Sequence, residues 1–449
     1  MFHTGKYAGR LQKYIVILQL KCKNTDMQIK TRKIFHYLCR RLLKDKLIIL
    51  SGARQTGKTT LCKKILPKFL NKSFFYVSFD DPEERARFKE NAILILENIK
   101  EEVVILDEVQ KIPEILDSVK FVFDKQKDIN KKRNLFILTG SCQLTLLHKT
   151  KETLAGRASI LHLYPFSLEE SIEIDKKSNF LTKILKNPKC IEDIKKDKIL
   201  ISAAQKRKIK LTQKEHQEWG SYPSVELHKE IADKVSWLKN YQITYLERDI
   251  LDLGKVGDID TFGRVQKMFA TRAAQLFSLS EIAKELGLAV NTVKRYLHLL
   301  EISFQCFLLR PYLSNPSKRL IKTPKIYFAD NGLLKTILGS LRIDEGHIYE
   351  NWIFSEIIKW KKQKELEPEI YFYRTASGVE VDFIICQGDK TLALEVKQSK
   401  KIKENFARSI LNLKKSNPEI NLGIICYEGE EIKKIKEDIW AVPSWALFT

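Results

Sequence analysis

Nine consecutive residues carry the clearest chemistry in the sequence: Gly52, Ala53, Arg54, Gln55, Thr56, Gly57, Lys58, Thr59 and Thr60. Glycines at the first and sixth positions let the backbone curl so that successive N–H groups converge on one point, which suits a phosphate. Lys58 would reach β- and γ-phosphate oxygens, and the Thr59 hydroxyl would ligate Mg²⁺. This spacing means a phosphate loop only between a strand and a helix. Both flanks comply, since Leu47–Leu50 is apolar throughout and Leu61–Leu66 reads as helical. ATP with Mg²⁺ is the expected ligand.

A second element completes such a site. Val103-Val-Ile-Leu-Asp107-Glu108 is an apolar strand ending in two carboxylates. Asp107 is expected to hold Mg²⁺ through water, and Glu108 to orient or polarise the attacking water. Leu135–Thr139 is another apolar strand, followed by Gly140 and Ser141. Ser141 stands where a γ-phosphate would be sensed; a plain turn is the alternative. Arg157 is a candidate arginine finger, which acts only on reaching the γ-phosphate, often from a neighbouring subunit. The alternative for Arg157 is an ordinary surface arginine.

A separate constellation lies near the C-terminus. Asp382 sits on one strand, and after twelve intervening residues Glu395 and Lys397 follow on another. Alternation puts Glu395 and Lys397 on one face, and a hairpin would bring Asp382 beside them. Glu350, on the preceding helix, would be a third acid. Carboxylates so grouped can bind a hard divalent ion, Mg²⁺ or Mn²⁺, and a lysine can help activate water for phosphodiester attack. Upstream, Leu279–Leu300 splits around Gly287 into two helical segments. Ser280 can cap the first, with Ile282, Ala283 and Leu286 inward; Val293, Leu297 and Leu300 pack the second. Lys294 and Arg295 would then project outward, as on a DNA-reading helix. Strands after this pair suggest a wing, with Lys318, Arg319, Lys322 and Lys325 nearby.

Leu47–Glu170 resembles the AAA-type ATPases of bacteria and archaea that carry a C-terminal domain of unknown function. The resemblance rests on Ala53-Arg54-Gln55, Asp80-Asp-Pro82, Asp107-Glu-Val-Gln-Lys-Ile-Pro113, Leu154-Ala-Gly-Arg157 and Leu163-Tyr-Pro-Phe-Ser-Leu168. Gly220-Ser-Tyr-Pro223, Tyr241–Asp249 and Lys322-Thr-Pro-Lys-Ile-Tyr-Phe-Ala-Asp330-Asn-Gly332 extend it. The closing region resembles restriction-endonuclease-like PD-(D/E)xK nucleases, with Val381 replacing the usual proline. That resemblance implies a nuclease fold; cutting and an inactive fold kept for binding both stay open.

The elements that must position these groups set the fold class. Short apolar strands alternate with helices over residues 30–165, which argues a parallel α/β sheet. The expected class is α/β multidomain: an AAA-like parallel sheet, a helical lid, a winged helix and a restriction-endonuclease-like α/β domain. The expected division is a basic tail over 1–30, the ATPase domain over 31–168 and a lid with a lysine-rich insertion over 169–255. A winged helix follows over 256–340 and the nuclease-like end over 341–449. Met27 rivals Met1 as the true start.

At 449 residues the chain exceeds one core. Lys and Arg number 79 against 56 Asp and Glu, a net charge of +23. Such an excess favours an anionic partner such as DNA, unless A/T-rich codons have simply inflated lysine. Eight cysteines without a C-x-x-C pair read as reduced thiols of a cytoplasmic protein. No apolar stretch, Tyr14–Leu20 included, approaches a membrane span. The expected partners are therefore ATP, DNA, and a second copy or another protein. Two functions compete: an ATP-driven enzyme that cuts or grips DNA, and an ATP-dependent switch whose C-terminal domains only bind.

Overall fold

A computed structural model of the chain describes residues 30–128, 134–141, 154, 156–173, 179–199, 201–245, 258–313 and 323–449. The tail before residue 30, with Tyr14–Leu20 and Met27, lies outside the described residues, as do Lys318, Arg319 and Lys322. Two compact units divide the chain after Leu163.

The first unit is built on five strands: β1 Leu47–Ser51, β2 Phe74–Ser78, β3 Val103–Asp107, β4 Leu135–Gly140 and β5 Ser159–His162. They pair in the order β2–β3–β4–β1–β5, every pair parallel. Their unbroken apolar runs follow from burial on both faces. Ile48 and Leu50 pack on one side with Phe35, Leu38 and Leu42 of helix Ile34–Asp45, and with Leu61 after the loop. Leu47 and Ile49 pack on the other with Phe88 of helix Pro82–Glu97 and with Leu116, Val119 and Phe123 of helix Ile115–Asp128. Because all strands run the same way, their carboxyl ends and the loops leaving them share one edge, where ligands of such sheets bind.

The second unit holds the region expected as lid, helix pair and closing domain together. The lysine-rich stretch left without detail folds into helices Phe180–Lys186, Ile191–Ile199 and Ala203–Trp219. Helices Leu279–Leu286 and Val290–Ile302 flank Gly287 as expected. The first is capped by Ser278, whose Oγ accepts from Glu281 N, and not by Ser280. Ile282, Ala283, Val293, Leu297 and Leu300 are buried, and Lys294 and Arg295 are exposed. β6 Gln275–Leu276 before this pair and β7 Cys306–Leu309 and β8 Lys325–Phe328 after it form an antiparallel sheet in the order β6–β8–β7.

Two motifs singled out in the sequence prove to interlock. Asp330 accepts from Ser221 N at 2.7 Å and Leu333 N at 3.1 Å. A Cβ on Gly220 would meet Asp330 Oδ1 at 1.9 Å, so only glycine fits there.

The last sheet has the order β13–β14–β12–β11–β10–β9, with β9 Glu369–Arg374, β10 Glu380–Gln387, β11 Lys390–Lys397, β12 Leu422–Tyr427, β13 Lys433–Lys436 and β14 Ile439–Pro443. β9, β10 and β11 run antiparallel, whereas β12 joins β11 in parallel. Helix Glu345–Lys362 carries Glu350 in this unit. Described cysteines are free thiols, with Cys39, Cys62, Cys306 and Cys426 buried. No described helix is long and apolar enough to cross a membrane.

Candidate functional site

The loop between β1 and the helix at Lys58 has the geometry its glycines allow. A Cβ on Gly52 would meet Leu163 O at 2.1 Å, so the loop can lie this close to the β5 exit only with glycine there. Gly57 has φ 94°, a left-handed backbone that launches the helix at Lys58. Thr56 Oγ1 donates to Ala53 O at 2.9 Å, and Arg32 Nη1 donates to Thr56 O at 2.7 Å, bracing the loop from both sides. Lys58 Nζ donates to Gly52 O and Ala53 O, 2.9 Å each, so its ammonium is drawn over the loop. Gln55 and Thr59 are exposed, Arg54 and Thr60 half-buried.

Asp107 gathers hydroxyls. Thr59 Oγ1 donates to Asp107 Oδ2 at 2.8 Å and Tyr76 OH to the same oxygen at 2.7 Å, while Thr139 Oγ1 donates to Oδ1. Burial and that bond to Asp107 push the Tyr76 phenol above its ordinary range, so it stays a donor. Strand order explains the meeting: β4 lies between β1 and β3, which puts Thr139 between the loop and Asp107. Glu108 takes a left-handed backbone, φ 59° and ψ 43°, which costs a non-glycine residue about 1 kcal/mol or more. Its Oε2 accepts from Gln110 Nε2 and, at 3.4 Å, from Ser141 Oγ; Gln110 Nε2 also donates to Ser141 Oγ at 2.9 Å. Ser141, expected as a γ-phosphate sensor, thus joins Glu108. Tyr76, Gln110 and Arg32 went unforeseen.

The donor set fits Mg²⁺. Thr59 Oγ1 and the Asp107 carboxylate are hard oxygen donors of the kind Mg²⁺ takes, directly or through its waters, and their hydrogen bond at 2.8 Å brings the two together. Arg157 is placed differently from a free finger: its Nε donates to Asp124 Oδ1 at 2.8 Å and Oδ2 at 3.1 Å, within the same unit.

In the second unit the expected trio does come together. β10 and β11 pair antiparallel with Phe383 opposite Leu394, which brings the neighbouring Asp382 and Glu395 to the same end of the ladder. Asp382 Oδ2 accepts from Val396 N at 2.7 Å, and Lys397 Nζ donates to Glu395 Oε1 at 2.6 Å. Glu350 Oε1 accepts from Tyr327 OH at 2.5 Å and from Lys325 Nζ at 3.0 Å. Burial first, then the charge of Asp382, pushes Glu350 up to about 7 and Glu395 up to about 8.

As arranged, this donor set does not fit a metal. Lys325 Nζ stands among the carboxylates, paired with Glu350 and Glu380 and 3.8 Å from Asp382 Oδ1. Among the described residues no group of three or more His, Cys, Asp or Glu is arranged to hold an ion. The expectation of Glu350, Asp382 and Glu395 around a second divalent ion is therefore corrected in one respect: an ammonium from β8 is already there.

Comparison with known proteins matches three successive segments of the chain. Residues 44–172 match the AAA domain model, residues 211–343 a domain of unknown function (DUF8612) and residues 345–447 a domain of unknown function (DUF4143). The first segment spans the loop and both carboxylates, and its parallel sheet and loop define an AAA-type P-loop domain. The chain is 25% identical over 435 residues to the uncharacterized protein Rv2008c of Mycobacterium tuberculosis, covering 94% of this chain and 86% of that one. It is 24% identical to the uncharacterized protein MJ1544 of Methanocaldococcus jannaschii, covering 98% and 96%. Among solved structures, AMPPCP-bound DnaA from Aquifex aeolicus is 16% identical with a TM-score of 0.24, covering 59% of this chain and 86% of that one. RuvB of Thermotoga maritima is 17% identical with a TM-score of 0.28, covering 64% and 93%. Such scores establish no shared overall architecture, and the phosphate loop stands on its own geometry.

Proposed function

We propose that this protein is a Mg²⁺-dependent ATPase whose second unit binds DNA. The observation that carries the ATPase reading is the bond from Thr59 to Asp107 at 2.8 Å, which joins the loop to the carboxylate strand as one ion-binding edge. Loop N–H groups cradle the phosphates, and Lys58 leaves Gly52 O and Ala53 O to neutralise the β/γ oxygens. When bound, Mg²⁺ supplies charge neutralisation across those oxygens. Thr59 and Asp107 hold that ion, with Tyr76 and Thr139 fixing the Asp107 carboxylate. Glu108, backed by Gln110 and Ser141, polarises the attacking water.

The charge of +23 and the exposed Lys294 and Arg295 support DNA as the partner of the helix pair, read as a winged helix. Of the two competing functions, the Lys325 ammonium among the C-terminal acids favours the one that binds without cutting. ATP turnover measured with and without duplex DNA, in the parent and in Lys58→Ala, tests the reading. Loss of turnover in the variant and stimulation of the parent by DNA are expected; Lys58-independent turnover would overturn it.

A further inference from the structure

The Lys325 ammonium is a buried charged group of the second unit, and the ATPase reading makes no use of it. Its side chain is 3% exposed, on the middle strand of the small β6–β8–β7 sheet. Two positions on, Tyr327 leaves the same strand on the same face and donates to Glu350. Glu380 and Asp382, likewise two apart, present their carboxylates to Lys325 from β10, and Glu350 does so from helix Glu345–Lys362. A buried ammonium is stable only with such partners, since unpaired it costs several kcal/mol (order of magnitude).

One oxygen of each of Glu350, Asp382 and Glu395 then has a hydrogen-bond donor. Glu350 Oε1 is held by Lys325 and Tyr327, Asp382 Oδ2 by Val396 N, and Glu395 Oε1 by Lys397. Glu395 Oε2 is buried without a hydrogen-bond partner. A divalent ion bridging Glu395 Oε2 and Asp382 Oδ1 would approach Lys325 Nζ, 3.8 Å from the latter oxygen, and be repelled by it.

We propose that Lys325 is the resident cation of this carboxylate cluster and bars a divalent metal from it. Strand β8 thereby plugs a nuclease-like sheet with a lysine, and cleavage is blocked by charge while the fold is retained. Because the cluster belongs to the second unit and the phosphate loop to the first, Lys58→Ala disables ATP turnover without touching this inference, and the two can fail separately.

The test is calorimetric titration of Mn²⁺ into the metal-stripped, nucleotide-free full chain. Glu395→Gln serves as the control for Mn²⁺ bound elsewhere. The parent should give the same heat as Glu395→Gln. Lys325→Gln should gain one Mn²⁺ site, at least tenfold tighter than any in the parent and lost again in the double variant with Glu395→Gln. Its melting temperature should rise with Mn²⁺, as that of a protein with a native-state ligand does, while the parent's does not. One Mn²⁺ bound by the parent and lost in Glu395→Gln would overturn the proposal. So would a folded Lys325→Gln that takes up none. Should Lys325→Gln fail to fold, the parent titration decides, with Lys325→Arg beside it: the arginine keeps the charge, so it should exclude Mn²⁺ as the parent does. Glu395-dependent uptake by either protein would overturn the proposal.

Discussion

Asp107 and Asp382 are both strand residues of nearly equal burial, 2% and 8% exposed, yet they are satisfied in opposite ways. Asp107 receives three hydroxyls, from Thr59, Tyr76 and Thr139. Hydroxyls are neutral, so they orient the carboxylate and leave its charge for an arriving cation. Asp382 and its neighbours face Lys325 and Lys397, whose charges already answer theirs. A carboxylate held by hydroxyls is prepared for a metal, and one held by ammonium groups is already neutralised. The donors around a carboxylate, more than its presence in a motif, separate a metal centre from a structural ion network.

The largest effect should come from Lys58. Lys58→Ala removes the charge that answers the β/γ-phosphates, and ATP turnover should fall by at least ~100-fold, as for loss of a transition-state donor. Steady-state phosphate release measures it, and near-parental turnover would remove the loop from the mechanism. Glu108→Gln should follow, with hydrolysis lowered by ~10²–10⁴-fold while ATP binding persists. Labelled-nucleotide binding beside turnover separates the two, and equal loss of both would make Glu108 a structural residue.

The comparison sharpens further with pH. Glu395 has its folded pKa raised from 4.5 to about 8, and Glu350 from 4.5 to about 7. Between those limits the folded state keeps protons that the unfolded state has released. Stability of the second unit should therefore be fullest below pH 4.5, as far as these two groups set it, and fall as pH rises toward 8. Glu395→Gln keeps a neutral group at all pH values and should flatten that fall in thermal melts. A steeper fall in the variant would mean that Glu395 is ionised and pairs favourably with Lys397.

Legibility in the sequence followed the range of the interactions. β1 and β3 were plain because an all-parallel sheet buries both faces, leaving unbroken apolar runs that stop at Ser51 and Asp107. β13 was missed because Lys433–Lys436 is an exposed, charged edge strand with no apolar alternation. The lysine-rich helices before Gly220 escaped for a related reason, since Ala203–Trp219 buries only Ile209, Gln213 and His216. Within the site, Thr59, Asp107 and Glu108 follow from local spacing. Tyr76 and Gln110 depend on neighbouring strand ends, and Lys325 reaches acids 25 to 57 positions away, as far as Asp382. Nothing in the spacing around Lys325 announces that it ends among acids.

The smallest expected effect concerns Arg157. Its guanidinium is held by Asp124 of helix Ile115–Asp128, and both side chains are about a third exposed, 37% and 34%. This pair differs from Lys325 and its acids chiefly in water: solvent screens it, so holding or releasing the arginine changes little free energy. If Arg157 serves as a finger, it must first leave Asp124 to reach a γ-phosphate. Asp124→Asn should then raise ATP turnover, but by no more than about fivefold, the most that a screened ion pair withholds. Arg157→Ala, by contrast, should lower turnover by ~10³-fold or more if it is a finger. Should both variants turn over ATP like the parent while melting slightly earlier, Arg157 ties the chain after Leu154 to that helix and takes no part in hydrolysis. Turnover at saturating ATP, repeated across protein concentrations, also separates an arginine acting within its own chain from one supplied by a second copy. Only the supplied arginine makes the rate per chain rise with concentration.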